Sequence, residues 1–587
     1  MLQRKPLNLP RHVYPIDPWR IVENQFYPHF LSQSETFFST GNGYLGMRGC
    51  FEEGDPFFEN GTFINGFYES WQITYPEIAY GFSKTGQTMV NVTDTKIIKL
   101  HVDDEPLSLS DAKLISFERV LDMKAGTLDR DIVWEMASGK RVAIKSRRLV
   151  SLDQRHLAAI SYEVTVLNDQ ASVVISSEMR NDPPPQFTDD DPRHGRGFQG
   201  RVLLPQKHYD KDRRVVLAHA TAASKMTLAC GIDHVMETDC ACTSETQSLE
   251  NSAKVVFSCQ AQPDMPIKLI KYMAYHTSQS RPADELCDSV ERTLDSAVAH
   301  GFQDLLAQQQ IYLDKFWRRS DVQIEGYPDR QHRAPEMQQA LRFNLFQLFQ
   351  AAARAEDTGI PAKGLTGQAY DGHYFWDSEV YVLPFLTYTS PRLAKNQLEF
   401  RYRTLDKARE RAQELHAKGA KFPWRTINGT EASAFYAAGT AAYHINADIM
   451  YALQKFCEVT GDEEFLHVEG VELLVETARL WYSHGFFSER AGGKFCIHGI
   501  TGPDEYTTVV DNNTYTNLMA QNNLSYAAAA VAALHKKAPE RFKALTDKIG
   551  LHPQEIKDWQ RAAEQMYIPF DEKLGIHPQD DITQCRK

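Results

Sequence analysis

Residues 283–298 read ADELCDSVERTLDSAV, and at this stretch the chain changes character. Leu286, Val290, Leu294 and Val298 recur every fourth position, which places them on one face of a helix. Leu305, Leu306, Leu313 and Trp317 extend the pattern past a break at Gly301. The spacing predicts a helical linker, followed by a short strand-like segment at Asp321 to Ile324. Upstream, the pattern is that of strands. HLAAISYEVTVLND, from His156, alternates over much of its length, and Val173 to Met179 gives another short apolar strand. Turn signals cut in at Thr40-Gly41-Asn42-Gly43, at Glu53-Gly54-Asp55-Pro56 and at Asn181-Asp182-Pro183-Pro184-Pro185. Thr188 to Gly200, rich in Asp, Arg, Gly and Pro, reads as an exposed loop. Many short strands at this spacing predict a β-sandwich.

Downstream, helical patterns dominate from Pro335, where Met337, Leu341, Leu345, Leu348 and Phe349 mark one apolar face. Further helices are predicted at 394–415, 444–460, 468–481, 512–534 and 553–566. Consecutive helices without alternating strands favour an all-α domain over an α/β barrel. The expected fold is multidomain α and β: a sandwich over 1–275, a linker over 276–330 and a helical domain over 331–587.

Composition narrows the function. A length of 587 residues is enough for about three or four domains. The formal charge is −13 with no long basic run, which argues against nucleic-acid partners. No run of eighteen apolar residues predicts a membrane span, and MLQRKPLNLPRHVYPIDPWR lacks the apolar core of a secretory signal. The nine cysteines are scattered and odd in number, so they read as free thiols of a cytoplasmic protein. Phosphate-loop, HExxH and zinc-type cysteine spacings are all missing from the sequence.

Three loops between the predicted helices carry unusual residues. The first is KGLTGQAYDGHYFWDSEVYVLPFLTYTS, from Lys363 to Ser390, with its core at Gly372 to Glu379. An indole covers the apolar face of a pyranose and a carboxylate accepts from its hydroxyls, so Trp376 beside Asp377 suits a sugar. The same pair also fits a helix capped by Asp377 with Trp376 in the core. The second loop is Phe422-Pro423-Trp424-Arg425-Thr426-Ile427-Asn428-Gly429-Thr430-Glu431. Trp424 can stack on a sugar and Arg425 can bind hydroxyls, or an Arg425–Glu431 ion pair can staple the loop. The third is Gly502-Pro503-Asp504-Glu505-Tyr506. Glycosidic cleavage needs a carboxylic acid that keeps its proton near neutral pH, and Glu505 beside Tyr506 in a confined loop suits that task. Asp504 and Glu505 also fit a helix-capping acidic pair. His416 and His444 read as isolated structural residues.

Taken together and in this order, these segments resemble glycoside hydrolase family 65, which contains maltose, trehalose, kojibiose and nigerose phosphorylases. GNGYLGMRG at 41–49 and HGITGPDEYTTVVDNNTYTNLMAQNNL at 498–524 complete the match. The resemblance implies an N-terminal β-sandwich, a helical linker, an (α/α)6 barrel and a small C-terminal β-domain. It implies that Glu505 is the general acid and that Trp376 and Asp377 hold the reacting glucose. Trp424, Arg425 and the loop to Tyr443 would shape the acceptor site. The expected reaction is inverting phosphorolysis of an α-glucosidic disaccharide to β-glucose 1-phosphate. The resemblance further implies inorganic phosphate as co-substrate, no metal or other cofactor, and a homodimer. Family members continue past Gln579-Asp580-Asp581 with a Lys-Gln pair, a phosphate-binding loop and the C-terminal domain, whereas this chain reads ITQCRK and stops. The expectation is therefore an incomplete barrel in a truncated chain of little or no activity. A trehalase-like hydrolase and an inactive sugar-binding remnant are the alternative readings.

Overall fold

A computed structural model describes residues 9–182, 198, 200–326, 334–434, 436–506 and 508–583. The expected 188–200 loop, apart from 198 and 200, lies outside the described residues. So do the prolines that follow Asp182 and the terminal segment holding Cys585. The chain forms two compact units. One comprises 1–69, 88–355 and 363–372; the other comprises 70–87, 356–362 and 373–587.

The first unit is built on antiparallel sheets. A ten-stranded sheet runs from Ile16–Asp17 at one edge to Leu203–Lys211 at the other, with Leu157–Val166 paired to Ile267–Ser278 near its middle. A five-stranded sheet centres on Ala171–Arg180, whose residues alternate strictly between buried and half-buried. That alternation is the period of two expected for a strand with one face on a core. The linker forms two helices, Ala283–His300 and Phe302–Ser320, divided at Gly301. Leu286, Val290 and Leu294 pack on Leu157, Val216 and Ile270 of the large sheet. Burying each such side chain contributes about 1.5–3 kcal/mol. Gly231 permits the approach, since a methyl there would meet Val290 Cγ1 at 2.6 Å.

The GNGYLG motif is a packing device in this unit. Asn42 Oδ1 accepts from the amides of Tyr44 (2.9 Å) and Leu45 (2.8 Å), closing a turn with Gly43 at φ +91°. A side chain at Gly43 would also strike the backbone of Arg354 and Ala355.

Several expectations require correction. Asp321 to Ile324 forms no strand. Instead the Gln338 amide takes the place of a neighbouring strand, accepting from Ile324 N at 2.8 Å and donating to Val322 O at 2.9 Å. The helix expected over 394–415 is two, Pro391–Arg403 and Leu405–Glu414. Thr404 breaks it: its hydroxyl donates to Phe400 O and Arg401 O and competes with the backbone ladder. Free thiols hold for six buried cysteines but fail for Cys242 and Cys259, which are bonded across adjacent strands. They lie directly opposite with Cα atoms 4.2 Å apart, close enough to join without backbone movement.

The second unit is mostly helical. Thr514–Lys537 packs against His444–Thr460, Val471–His484 and Pro553–Glu564. Trp481 is fully buried there and donates its indole N–H to Asn523 Oδ1 at 3.0 Å. Leu383–Thr389 and Pro539–Ile549 are helices absent from the sequence expectation. No helix among the described residues is long and apolar enough to cross a membrane.

Candidate active site

The part of the first loop from His373 onward and the other two loops singled out in the sequence all lie in the second unit. The first two are joined by a backbone bridge: Tyr374 N donates to Thr426 O at 2.8 Å, and Thr426 N donates back to Tyr374 O at 3.3 Å. The third is a hairpin closed by Ile500 and Val510. It is anchored where Thr501 N donates to Ala441 O (3.0 Å) and Thr501 Oγ1 to Ala438 O (2.7 Å). Glu505 stands at its tip with φ +60°, a left-handed conformation that costs a non-glycine residue roughly 1–2 kcal/mol. Neither Asp504 nor Glu505 caps a helix. The next helix starts at Thr514 and is capped by Asn513, whose side chain accepts from Thr516 N at 3.0 Å.

Glu505 is exposed, yet its carboxyl is raised above the usual glutamate range. Burial among surrounding atoms is the largest cause, followed by the negative charge of Asp377; His444 and Arg425 oppose the rise and Asp504 adds to it. Asp377 is likewise accessible and likewise raised, chiefly by lost solvation. A carboxyl that water reaches but does not fully hydrate is what a concave site produces. A carboxyl whose proton affinity is raised by a neighbouring negative charge is one that can act as an acid.

Asp377 does not cap the helical turn that follows it, since its side chain makes no capping hydrogen bond. The Trp376 indole is half-buried, with its ring centre 4.8 Å from that of His444 in an edge-to-face pose. The reading of His444 as isolated is therefore corrected, because it packs against the predicted sugar platform. His416 lies elsewhere, stacked on Tyr80 at 6.2 Å.

The Trp424–Arg425 loop is held, but not by the ion pair the sequence suggested. Glu431 accepts from the backbone amides of Trp424 (2.9 Å) and Arg425 (3.4 Å) and from Ser433 Oγ (2.5 Å). The Arg425 side chain turns instead to His373, donating from Nε to Nδ1 at 3.1 Å, with its guanidinium over the Phe375 ring. His373 Nε2 lies 2.6 Å from Gln87 O, a pure acceptor, so that nitrogen carries the proton and Nδ1 is free to accept. Burial and the Arg425 charge hold His373 far below the usual histidine range, in keeping with a neutral ring. Trp424 is 8% exposed and Arg425 2%, so both lie mostly beneath the loop surface. Trp424 meets Phe375 and Tyr436 edge-on at 5.8 and 5.5 Å, and Tyr436 donates its hydroxyl to Glu505 O at 2.8 Å. A chain of contacts thus runs from the second loop to the third.

Sequence reasoning gave no role to His373, Tyr436, Asp448 or Tyr515, although His373 and Asp448 lie in or beside the stretches it singled out. Only Asp448 carried a usable signal, being four residues after His444 and so on the same helix face.

Residues 21–316 match the N-terminal domain of glycosyl hydrolase family 65, and residues 342–584 match its central catalytic domain. An α,α-trehalose phosphorylase of Thermoanaerobacter brockii is 42% identical over 97% of this chain and 73% of its own length. A kojibiose phosphorylase of Caldanaerobacter subterraneus subsp. tengcongensis is 29% identical over 94% of this chain and 71% of its own length. Among solved structures, a putative kojibiose phosphorylase from the human microbiome superposes with a TM-score of 0.86 at 26% identity, covering 98% of this chain and 73% of that one.

Proposed function

Because this chain belongs to glycosyl hydrolase family 65, we propose that it is a disaccharide phosphorylase that cleaves an α-linked glucose disaccharide with inorganic phosphate. In this reading Trp376 and Asp377 hold the glucose, the indole against its C–H face and the carboxylate on its hydroxyls. Glu505 donates its proton to the bridging oxygen as the C1–O bond breaks. A phosphate oxygen attacks C1 from the opposite face, giving β-glucose 1-phosphate and a free sugar. Phosphate is already an anionic nucleophile, so no second carboxylate is needed to activate it, whereas an inverting hydrolase needs one to activate water. The loop from Trp424 and Arg425 to Tyr443 shapes the acceptor side. Trehalose is the first substrate to test, since the trehalose phosphorylase of T. brockii shares more identity with the chain than the kojibiose enzyme does. The family reading further supports an (α/α)6 arrangement of the helices and a cytoplasmic homodimer that uses no metal.

The observation that carries the proposal is the pairing of Glu505 with Asp377, two accessible carboxyls from separate loops that both hold protons more tightly than usual. The test is release of glucose from trehalose and from kojibiose, with and without inorganic phosphate, by the wild type and by Glu505→Gln. Phosphate-dependent release is expected, with kcat about 10²–10⁴-fold lower in the variant, the usual contribution of a general acid. Release that ignores phosphate would favour a hydrolase.

A further inference from the structure

Helix His444–Thr460 sets His444 and Asp448 one turn apart on the same face, and both are buried. Asp448 Oδ2 accepts from His444 Nδ1 at 2.7 Å. Its other oxygen accepts from the Tyr515 hydroxyl, also at 2.7 Å. Tyr515 stands on the neighbouring helix Thr514–Lys537, its ring 5.9 Å from that of His444. Burying a carboxylate is costly unless its oxygens are satisfied, and here each oxygen holds one donor. The result is a tyrosine–carboxylate–imidazole chain that fixes which ring nitrogen carries hydrogen and how the ring is turned. At its far end the imidazole meets the Trp376 indole edge-on at 4.8 Å. The mechanism above uses none of these three residues.

We propose that Tyr515, Asp448 and His444 act together as a positioning chain for the catalytic centre, fixing the imidazole against which the Trp376 indole rests. The inference rests on the reading of Glu505 as the acid and of Trp376 as a sugar platform. Four charged or titratable side chains act on Glu505. Asp377 and Asp504 favour its protonated form, while His444 and Arg425 favour the carboxylate. The groups facing His444 are Asp448 and Tyr515 within the chain and Glu505 beyond it. The Tyr515 hydroxyl is pushed far above the usual tyrosine range by burial and by the Asp448 charge, so it stays a donor. Removing His444 takes away an influence that draws the proton off Glu505. Glu505 then keeps its proton to higher pH, and the alkaline limb of activity moves upward.

The experiment compares the wild type with Tyr515→Phe, His444→Gln and the double variant. Trehalose and kojibiose with inorganic phosphate are the substrates, and kcat and KM are followed across pH. Glucose binding is followed separately by quenching of tryptophan fluorescence. Tyr515→Phe removes one oxygen from a conserved ring shape, so it should fold; it should lower kcat/KM by about tenfold through misplacement of the site. In His444→Gln the alkaline limb should shift to higher pH. The double variant should lose no more than His444→Gln alone, because residues acting as one unit are not additive. Additive losses, or a limb that stays in place in His444→Gln, would overturn the proposal. A wild type that turns over, with variants that match it, would overturn the chain and leave the acid assignment standing. A wild type that binds glucose without turnover, with binding weakened in Tyr515→Phe, would uphold the chain and overturn the phosphorylase reading.

Discussion

At the level of single residues, the chemistry turns on how strongly Glu505 holds its proton. Its carboxyl is raised first by burial and then by Asp377. A group whose proton affinity is raised is active as an acid below its folded pKa and fails as pH rises through it. Asp377→Asn removes the negative charge that helps Glu505 stay protonated. The alkaline limb of kcat should therefore move to lower pH in this variant, while KM for the disaccharide rises through the lost hydroxyl contact. Steady-state rates measured across pH for both proteins check this, and an upward shift would contradict it. Glu505, Trp376 and Asp377 were singled out through the family resemblance; by residue type alone an acidic pair and an indole beside a carboxylate suit a sugar but suit a helix cap or a core as well. His444 was not legible. Its relevance comes from contact with Trp376, 68 positions earlier in the chain, which spacing along the sequence cannot reveal. The Arg425–Glu431 pair misled for a related reason. Opposite charges six residues apart suggest an ion pair, but the carboxylate found backbone amides and the guanidinium found a buried imidazole.

At the level of elements, small residues decide how closely the loops pack. Gly439 sits against the Trp424 indole, and a methyl group added there would overlap its ring. Gly439→Ala must displace Trp424, which in turn packs on Tyr436, whose hydroxyl holds the Glu505 backbone. Such overpacking costs about 1–3 kcal/mol. The expected outcome is a melting temperature lower by a few degrees and a larger fall in kcat/KM, read from thermal melts and kinetics on one preparation. A variant with wild-type kinetics would show that the Trp424 contact does not support the site. Helix and strand patterns were readable where one face is buried, as at Leu286, Val290 and Leu294. They failed where side chains replace backbone partners. Gln338 stands in for a strand beside Val322 and Ile324, and the Thr404 hydroxyl interrupts a helix whose apolar spacing runs straight through. Local side-chain hydrogen bonds of this kind compete with regular structure and leave no periodic trace.

At the level of the whole molecule, the change in hydrophobic period near residue 283 marks where strands give way to helices, while the helices Ala283–His300, Phe302–Ser320 and Ala334–Ala352 still belong to the first unit. The family match spans both units, so the chain carries the N-terminal and the central catalytic domains together. Buried ion pairs recur in both. Arg130 donates to both Glu53 oxygens at 2.6 Å in the first unit, and Arg401 to Glu379 at 2.5 Å in the second. Such pairs are invisible to a hydrophobicity reading, which assigns charged residues to the surface. The disaccharide, the phosphate and the carboxyl of residue 505 meet in one observable, the configuration at C1 of the product. Proton NMR of trehalose and inorganic phosphate incubated with the purified protein reports it directly. The account predicts that β-glucose 1-phosphate appears first, in equal amount with free glucose, and that Glu505→Gln suppresses both. Formation of the α-anomer, free glucose alone at a rate that ignores phosphate, or undiminished turnover in Glu505→Gln would contradict it.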